Sequence, residues 1–215
     1  VFLGYILVTG FFLRSFKIEG NSMNPLLVSN SRVLVSPLAY GPKCSFTNFS
    51  LPGLGEPNRG DIVLLRTPNS DPPGLLSQGI NSVIGFFTLH KLKSTGGWAL
   101  PHQVKRLVGL PGDTIKMEEG VVFVRPEDES SFYTEFELIK KPYELRYDPL
   151  PEGWKETFPF AYSFPPITLS KDQYFVLGDN RSNSSDSRYW GPISGKHLLG
   201  KAVLQYAPIK QVKSL

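Results

Sequence analysis

Residues 102–124 read HQVKRLVGLPGDTIKMEEGVVFV, and this stretch decides what kind of fold the chain makes. HQVKRLVGL has the pattern of a strand, and GLPGD supplies the Gly, Pro and Asp of a tight turn. TIKM and VVFV are two β-rich arms that meet at Glu119 and Gly120, where a hairpin needs its turn residues. A strand, a turn and a hairpin in so short a span predict a mainly β protein.

Working outward, the same pattern predicts strands in SRVLVS (31–36), GDIVLLRT (60–67), DQYFVLGDN (172–180) and KAVLQYAP (201–208). Residues 41–59 are rich in breakers and read as a surface loop. Residues 68–101 read as a loop with one short helix or strand, residues 126–168 as an inserted subdomain, and RSNSSDSRYWGPI (181–193) as a polar loop. No internal repeat is visible.

Composition supports this outline. The 215 residues fit one domain of ordinary size, and the 20 Gly and 19 Pro are spread along the chain, as many turns between short strands require. The net charge of +4 is small and interleaved with acids, which argues against nucleic acid as a partner and suits a mild attraction to anionic lipid headgroups. A single cysteine, Cys44, excludes an internal disulfide and any CxxC site.

The chain opens with VFLGYILVTGFFL before its first charge at Arg14. Apolar residues cover every helical face of that stretch, which is shorter than the about 20 residues a bilayer span needs. It carries neither a basic leading region nor a small-x-small cleavage site. The expectation is the C-terminal part of a transmembrane anchor helix over residues 1–15, with a domain from 16 to 215 behind it.

GNSMNPLL (20–27) follows closely and poses a chemical question. A serine hydroxyl such as that of Ser22 is a poor nucleophile until a base takes its proton. His90, His102 and His197 are scattered, and none lies in an acid-paired stretch or in an HExxH spacing, which disfavours both a histidine triad and a metal site. Lysine remains. In HQVKRLVGL, strand alternation places Gln103, Lys105 and Leu107 on one face and Val104 and Arg106 on the other. Lys105 can therefore enter apolar surroundings that Arg106 need not share, and burial there would make it a usable base. On this segment alone, a solvated strand lysine is the simpler reading.

Taken together, EGNSMNPLL (19–27), VKRLVGLPGD (104–113) and LGDNRSNSSDSRYWGPI (177–193), in that order behind an apolar segment, resemble the three signature boxes of bacterial type I signal peptidases. Those enzymes remove signal peptides from exported proteins. The resemblance implies an antiparallel β-sheet catalytic domain with an inserted region, held outside the cytoplasm at the cell membrane. It implies Ser22 as nucleophile, Lys105 as general base and Ser184 as the hydroxyl that orients the lysine amine. Arg106 with Asp179, and Asp186 with Arg188, would be ion pairs bracing the site. Phe16, Ile18, Leu27 and Val104 would line shallow pockets for small residues, typically Ala, at the first and third positions before the cut.

The implied partners are signal peptides of exported preproteins and membrane lipid, close to the export translocon, with no nucleic acid, no metal and no cofactor. Gly20 stands where some relatives carry a second serine, so the oxyanion would rest mainly on the Ser22 N–H. Two other readings fit parts of the pattern: a self-cleaving repressor relative with a Ser/Lys β core, and a catalytically silent, membrane-tethered β module. Sequons at Asn48, Asn180 and Asn183 carry no weight, since the last two fall inside the third box.

Overall fold

The computed structural model describes residues 13–41, 53–68, 102–147 and 163–215. The expectations for the apolar stretch 1–12, for Cys44, Asn48 and His90, and for most of 68–101 lie outside the described residues. Among the described residues, no helix is long and apolar enough to cross a membrane.

In chain order the strands are β1 (Arg14–Lys17), β2 (Arg32–Ser36), β3 (Ile62–Arg66), β4 (His102–Gly109), β5 (Thr114–Glu118), β6 (Val121–Arg125), β7 (Tyr133–Thr134), β8 (Phe164–Thr168), β9 (Gln173–Leu177), β10 (Ile193–Ser194), β11 (Leu198–Ala207) and β12 (Lys213–Ser214). Two short helices, α1 (Glu135–Leu138) and α2 (Ser187–Trp190), complete the regular structure. The strands form two antiparallel sheets. One runs β1-β2-β11-β3-β4-β9-β10, with β12 added to β11; the other runs β7-β6-β5-β8.

The central strands of the first sheet are buried on both faces. IVLLR in β3 is a continuous apolar run, and its residues feed two cores. Ile62 and Leu64 join Ile18, Met23, Leu27, Val33, Val35 and Val104, whereas Val63 and Leu65 join Leu107, Val176, Ile193 and Leu198. Each such side chain removed from water contributes roughly 1.5–3 kcal/mol. Register then fixes Lys105. It lies opposite Val63, while Val104 lies opposite Leu64 and Arg106 opposite Ile62, so Lys105 shares the face of Val63 and Leu107.

The second sheet grows from the hairpin expected in the sequence. Glu118 pairs with Val121, and both turn residues have positive φ, 49° at Glu119 and 86° at Gly120, as a two-residue type I′ turn requires. The GLPGD turn before it is locked by Asp113, whose carboxylate accepts from Leu110 N at 2.6 Å and takes both ends of the Arg59 guanidinium at 2.7 and 3.2 Å.

Three expectations change. Arg14 and Ser15, placed in the apolar helix by sequence, are in β1, opposite Val35 and Leu34 of β2. The inserted region, expected at 126–168, begins earlier: β7 pairs with β6 and β8 with β5, so these strands complete the second sheet, which lies in the chain between β4 and β9, neighbours in the first sheet. The physical reason is that β5 and β6 put Ile115, Met117, Val122 and Val124 into one core, which Phe164 at the start of β8 and Leu169 just past its end help to close. Finally, the polar loop contains α2, capped by the Asp186 side chain, which accepts from Arg188 N.

Candidate active site

Ser22 sits in a compact loop between β1 and β2. Ile18 N donates to Ser31 O and Asn30 N to Ile18 O, which close the loop, and Leu27 N donates to Met23 O, which adds a helical turn. Met23 and Leu27 are buried in the core and anchor the turn from below. Gly20 has φ 95°, and a Cβ there would meet nothing within 4 Å. Backbone conformation, and not space, is what favours glycine at this position.

Lys105 is 2% exposed, and its Nζ lies 2.8 Å from Ser22 Oγ. Burial pushes the Lys105 amine down to about 8, with Arg188 acting in the same direction and Asp186 and Asp179 opposing it. At 2.8 Å a neutral amine is within reach of the serine proton.

Two buried ion pairs flank this contact. Arg106 donates to Asp179 through Nε at 2.8 Å and Nη2 at 2.7 Å. Arg106 is 3% exposed. Both faces of β4 are covered, and its charge is met by Asp179 and by the Tyr143 ring, whose centroid lies 3.8 Å from Cζ. Burial raises the Asp179 carboxyl against the pull of Arg106. Arg188 grips Asp186 through Nε and Nη2, both at 2.9 Å, and Gly178 N donates to the same carboxylate at 3.0 Å. Burial works to raise the Asp186 carboxyl, yet the Arg188 charge and these hydrogen bonds hold it below its ordinary value.

Ser184 is also buried at the site, beside Gly178, which in turn faces Ser22. Its Oγ makes no hydrogen bond here, so the orienting contact to the lysine amine expected from sequence is absent from this geometry. Phe16, Ile18, Leu27 and Val104 do come together. Ile18, Leu27 and Val104 share one core, and Phe16 packs against it with its ring centroid 5.8 Å from that of His102. Leu27 is wholly buried and supports the floor, whereas Ile18 and Val104 keep 8% and 9% exposure.

Among the described residues, β1 pairs only with β2, and β9 covers β4 only from Arg106 to Gly109, so residues 103–105 have a strand partner on the β3 side alone. Among the described residues, no group of three His, Cys, Asp or Glu side chains is arranged to hold a metal ion.

Sequence reasoning missed one group of residues. Arg181, wholly buried, donates through Nη2 to Glu135 Oε2 at 2.5 Å and through Nε to Gly178 O at 3.1 Å. Tyr143 OH donates to the same Glu135 oxygen at 2.6 Å. Burial works against the Arg181 charge, and Glu135 more than offsets it, holding the guanidinium above its ordinary value. No local pattern connects positions this far apart in the chain.

Fold and site together define a mainly β protein in which a loop serine meets a lysine buried in an antiparallel sheet. The chain belongs to the family described as signal peptidase, peptidase S26, whose sequence profile matches residues 1–207. It is 31% identical over 183 residues to Signal peptidase I P of Bacillus subtilis subsp. natto, covering 85% of this chain and 70% of that protein. It is 27% identical over 195 residues to Probable signal peptidase I-2 of Synechocystis sp., covering 91% of this chain but only 63% of that protein. A crystal structure of a signal peptidase I from Enterococcus faecalis aligns with 70% of this chain and all of its own, at 22% identity and a TM-score of 0.38.

Proposed function

We propose that this chain carries the catalytic domain of a membrane-anchored serine endopeptidase that removes N-terminal signal peptides from exported preproteins. The observation that carries the reading is the 2.8 Å contact between Ser22 Oγ and a lysine amine brought down to about 8 by burial. Membership of the signal peptidase family supplies the substrate class.

The chemistry follows from the geometry. Neutral Lys105 accepts the Ser22 proton as Oγ attacks the scissile carbonyl, and the Ser22 N–H stabilises the oxyanion. The resulting ammonium then gives its proton to the leaving amine, and the mature protein departs. Lys105, neutral again, activates the water that hydrolyses the acyl-enzyme, and Ser22 is restored with the signal peptide released. Arg106–Asp179 and Asp186–Arg188 keep the surrounding charges paired.

The signal peptide adds itself as an extended strand beside β1 and residues 103–105, presenting alternate side chains to the same face. Ile18 and Val104, each keeping a little exposure, offer apolar surface there, which suits Ala-x-Ala before the cut. The apolar opening of the chain holds the site at the extracytoplasmic membrane face, where signal peptides emerge near the export translocon.

The test is hydrolysis of a preprotein and of a short Ala-x-Ala peptide by Ser22→Ala, Lys105→Ala and the double variant. Each single change abolishes turnover in a folded protein, and the double variant loses little more, because the two groups act as a unit. Turnover that survives in either folded single variant overturns the reading.

A further inference from the structure

The Ser22–Lys105 contact is held from one side by the backbone of residues 178–181. Asn180 N donates to Ser22 O at 3.0 Å, and Gly178 N holds the Asp186 carboxylate. What holds that backbone comes from the second sheet. Thr134 and Glu137 form a capping box that starts α1 and presents Glu135, 1% exposed, as its first residue. Glu135 takes both the Arg181 guanidinium and the Tyr143 hydroxyl. Arg181 reaches back through Nε to Gly178 O, and the Tyr143 ring lies against Arg106, the partner of Asp179. The backbone of Arg146 adds two rungs, donating to Asp179 O at 2.9 Å and accepting from Arg181 N at 2.8 Å.

We propose that Glu135 and Arg181 are positioning residues for the Ser22–Lys105 pair, through which the second sheet sets the loop that carries Asp179, Asn180 and Ser184. The inference rests on the Ser/Lys reading of the site. Its physical basis is that a buried ion pair is seldom more stabilising than an apolar pair of similar volume, so stability gives Glu135 and Arg181 little purpose. What the pair does supply is direction: the guanidinium fork fixes Gly178 O, and through it the backbone beside Ser22.

The charges facing Lys105 are Asp186 and Arg188 from the loop and α2, and Asp179 from the end of β9; Val63 of β3 adds none. Loosening the loop admits water to Lys105. Burial is the largest influence on its amine, so the Lys105 titration moves up.

The test uses the whole chain with the double variant Glu135→Met/Arg181→Met, which leaves no orphaned charge, and with Glu135→Gln. Peptide hydrolysis gives kcat and KM across pH, and lysine labelled with carbon-13 at Cε gives the Lys105 titration directly by NMR. The expected result is a fall in kcat of about 10- to 100-fold, as displacement of reacting groups by about 1 Å produces. KM changes by no more than about twofold, and the Lys105 titration and the pH–rate inflection both shift upward by about half a unit or more. An unchanged kcat and Lys105 titration in a folded variant overturns the proposal, whatever happens to Tm. Should the double variant not fold, Glu135→Gln decides on the same two readouts. Hydrolysis that persists in Ser22→Ala overturns the Ser/Lys reading instead, and the NMR titration still judges whether Glu135 and Arg181 set the surroundings of Lys105.

Discussion

Gly178 faces the carbonyl oxygen of Ser22 with no room between them. A Cβ on Gly178 would lie 2.5 Å from that oxygen and would also run into the Ser184 hydroxyl. Both neighbours belong to the catalytic surroundings, one by backbone and one by side chain. The absence of a side chain at 178 is therefore what lets the Ser22 loop and the Ser184 loop approach each other.

Gly178→Ala should cost activity as well as stability. The methyl must push Ser22 or Ser184 aside, at about 1–3 kcal/mol of overpacking, and a displacement of about 1 Å at the nucleophile lowers kcat roughly 100-fold. Peptide hydrolysis beside thermal unfolding measures both. Full activity in this variant would show that the close approach has no catalytic consequence.

Activity should climb with pH. Lys105 acts as base only when neutral, and burial holds its amine at about 8. The kcat/KM on a peptide should thus rise about tenfold per pH unit below 8 and level off above it. Lys105→Arg should be inactive throughout, because guanidinium keeps its proton. A profile that falls between pH 6 and 8 would exclude the lysine base.

Replacing Lys105 should stabilise the fold below pH 8. The amine sits at about 8 in the folded chain against 10.5 when exposed. Above 10.5 the lysine is neutral in both states and costs nothing; the cost of discharging it accumulates as pH falls toward 8 and stays constant below. At 1.36 kcal/mol per unit, that amounts to on the order of 3 kcal/mol. Lys105→Met should gain most of this at pH 7 and much less at pH 10, read as the difference in denaturant midpoint between the two. An equal gain at both pH values would mean that burial does not discharge the lysine.

The β5–β6 turn offers a test remote from the site. Glu119 holds φ 49° and is exposed, and its backbone N–H donates to Ser163 Oγ at 3.2 Å. Glu119→Asn restores the Asn-Gly pair that such turns favour and should add about 0.5–1 kcal/mol without changing hydrolysis. Chemical unfolding measures it.

Local order was readable where the signal was local. The hairpin at Glu119 and Gly120 follows from turn chemistry between two arms of β-rich sequence, and the face of Lys105 follows from the period of a strand. β1 was missed because RSFK is short and polar, and its form comes from pairing with β2 more than a dozen residues away. At the site, the resemblance of three short boxes named Ser22, Lys105 and the two ion pairs. It could not say that Arg106 would be buried, since that depends on a tyrosine 37 positions further along the chain. Nor does any motif join Glu135 to Arg181. Their contact joins the first residue of α1 to the segment that follows β9, and tertiary packing of that kind leaves no period in a sequence.

Among the described residues β1 pairs with a strand on one side alone, β2, and this has a consequence for the behaviour of the protein at high concentration. An open strand edge is a template for any extended chain, including another copy of itself, and edge-to-edge growth is how many β proteins aggregate. Two copies of β1 meeting antiparallel and in register would set Arg14 of each against Lys17 of the other. Like charges placed directly opposite one another repel. The edge of β1 thus disfavours a second copy of itself by charge, but not an uncharged strand.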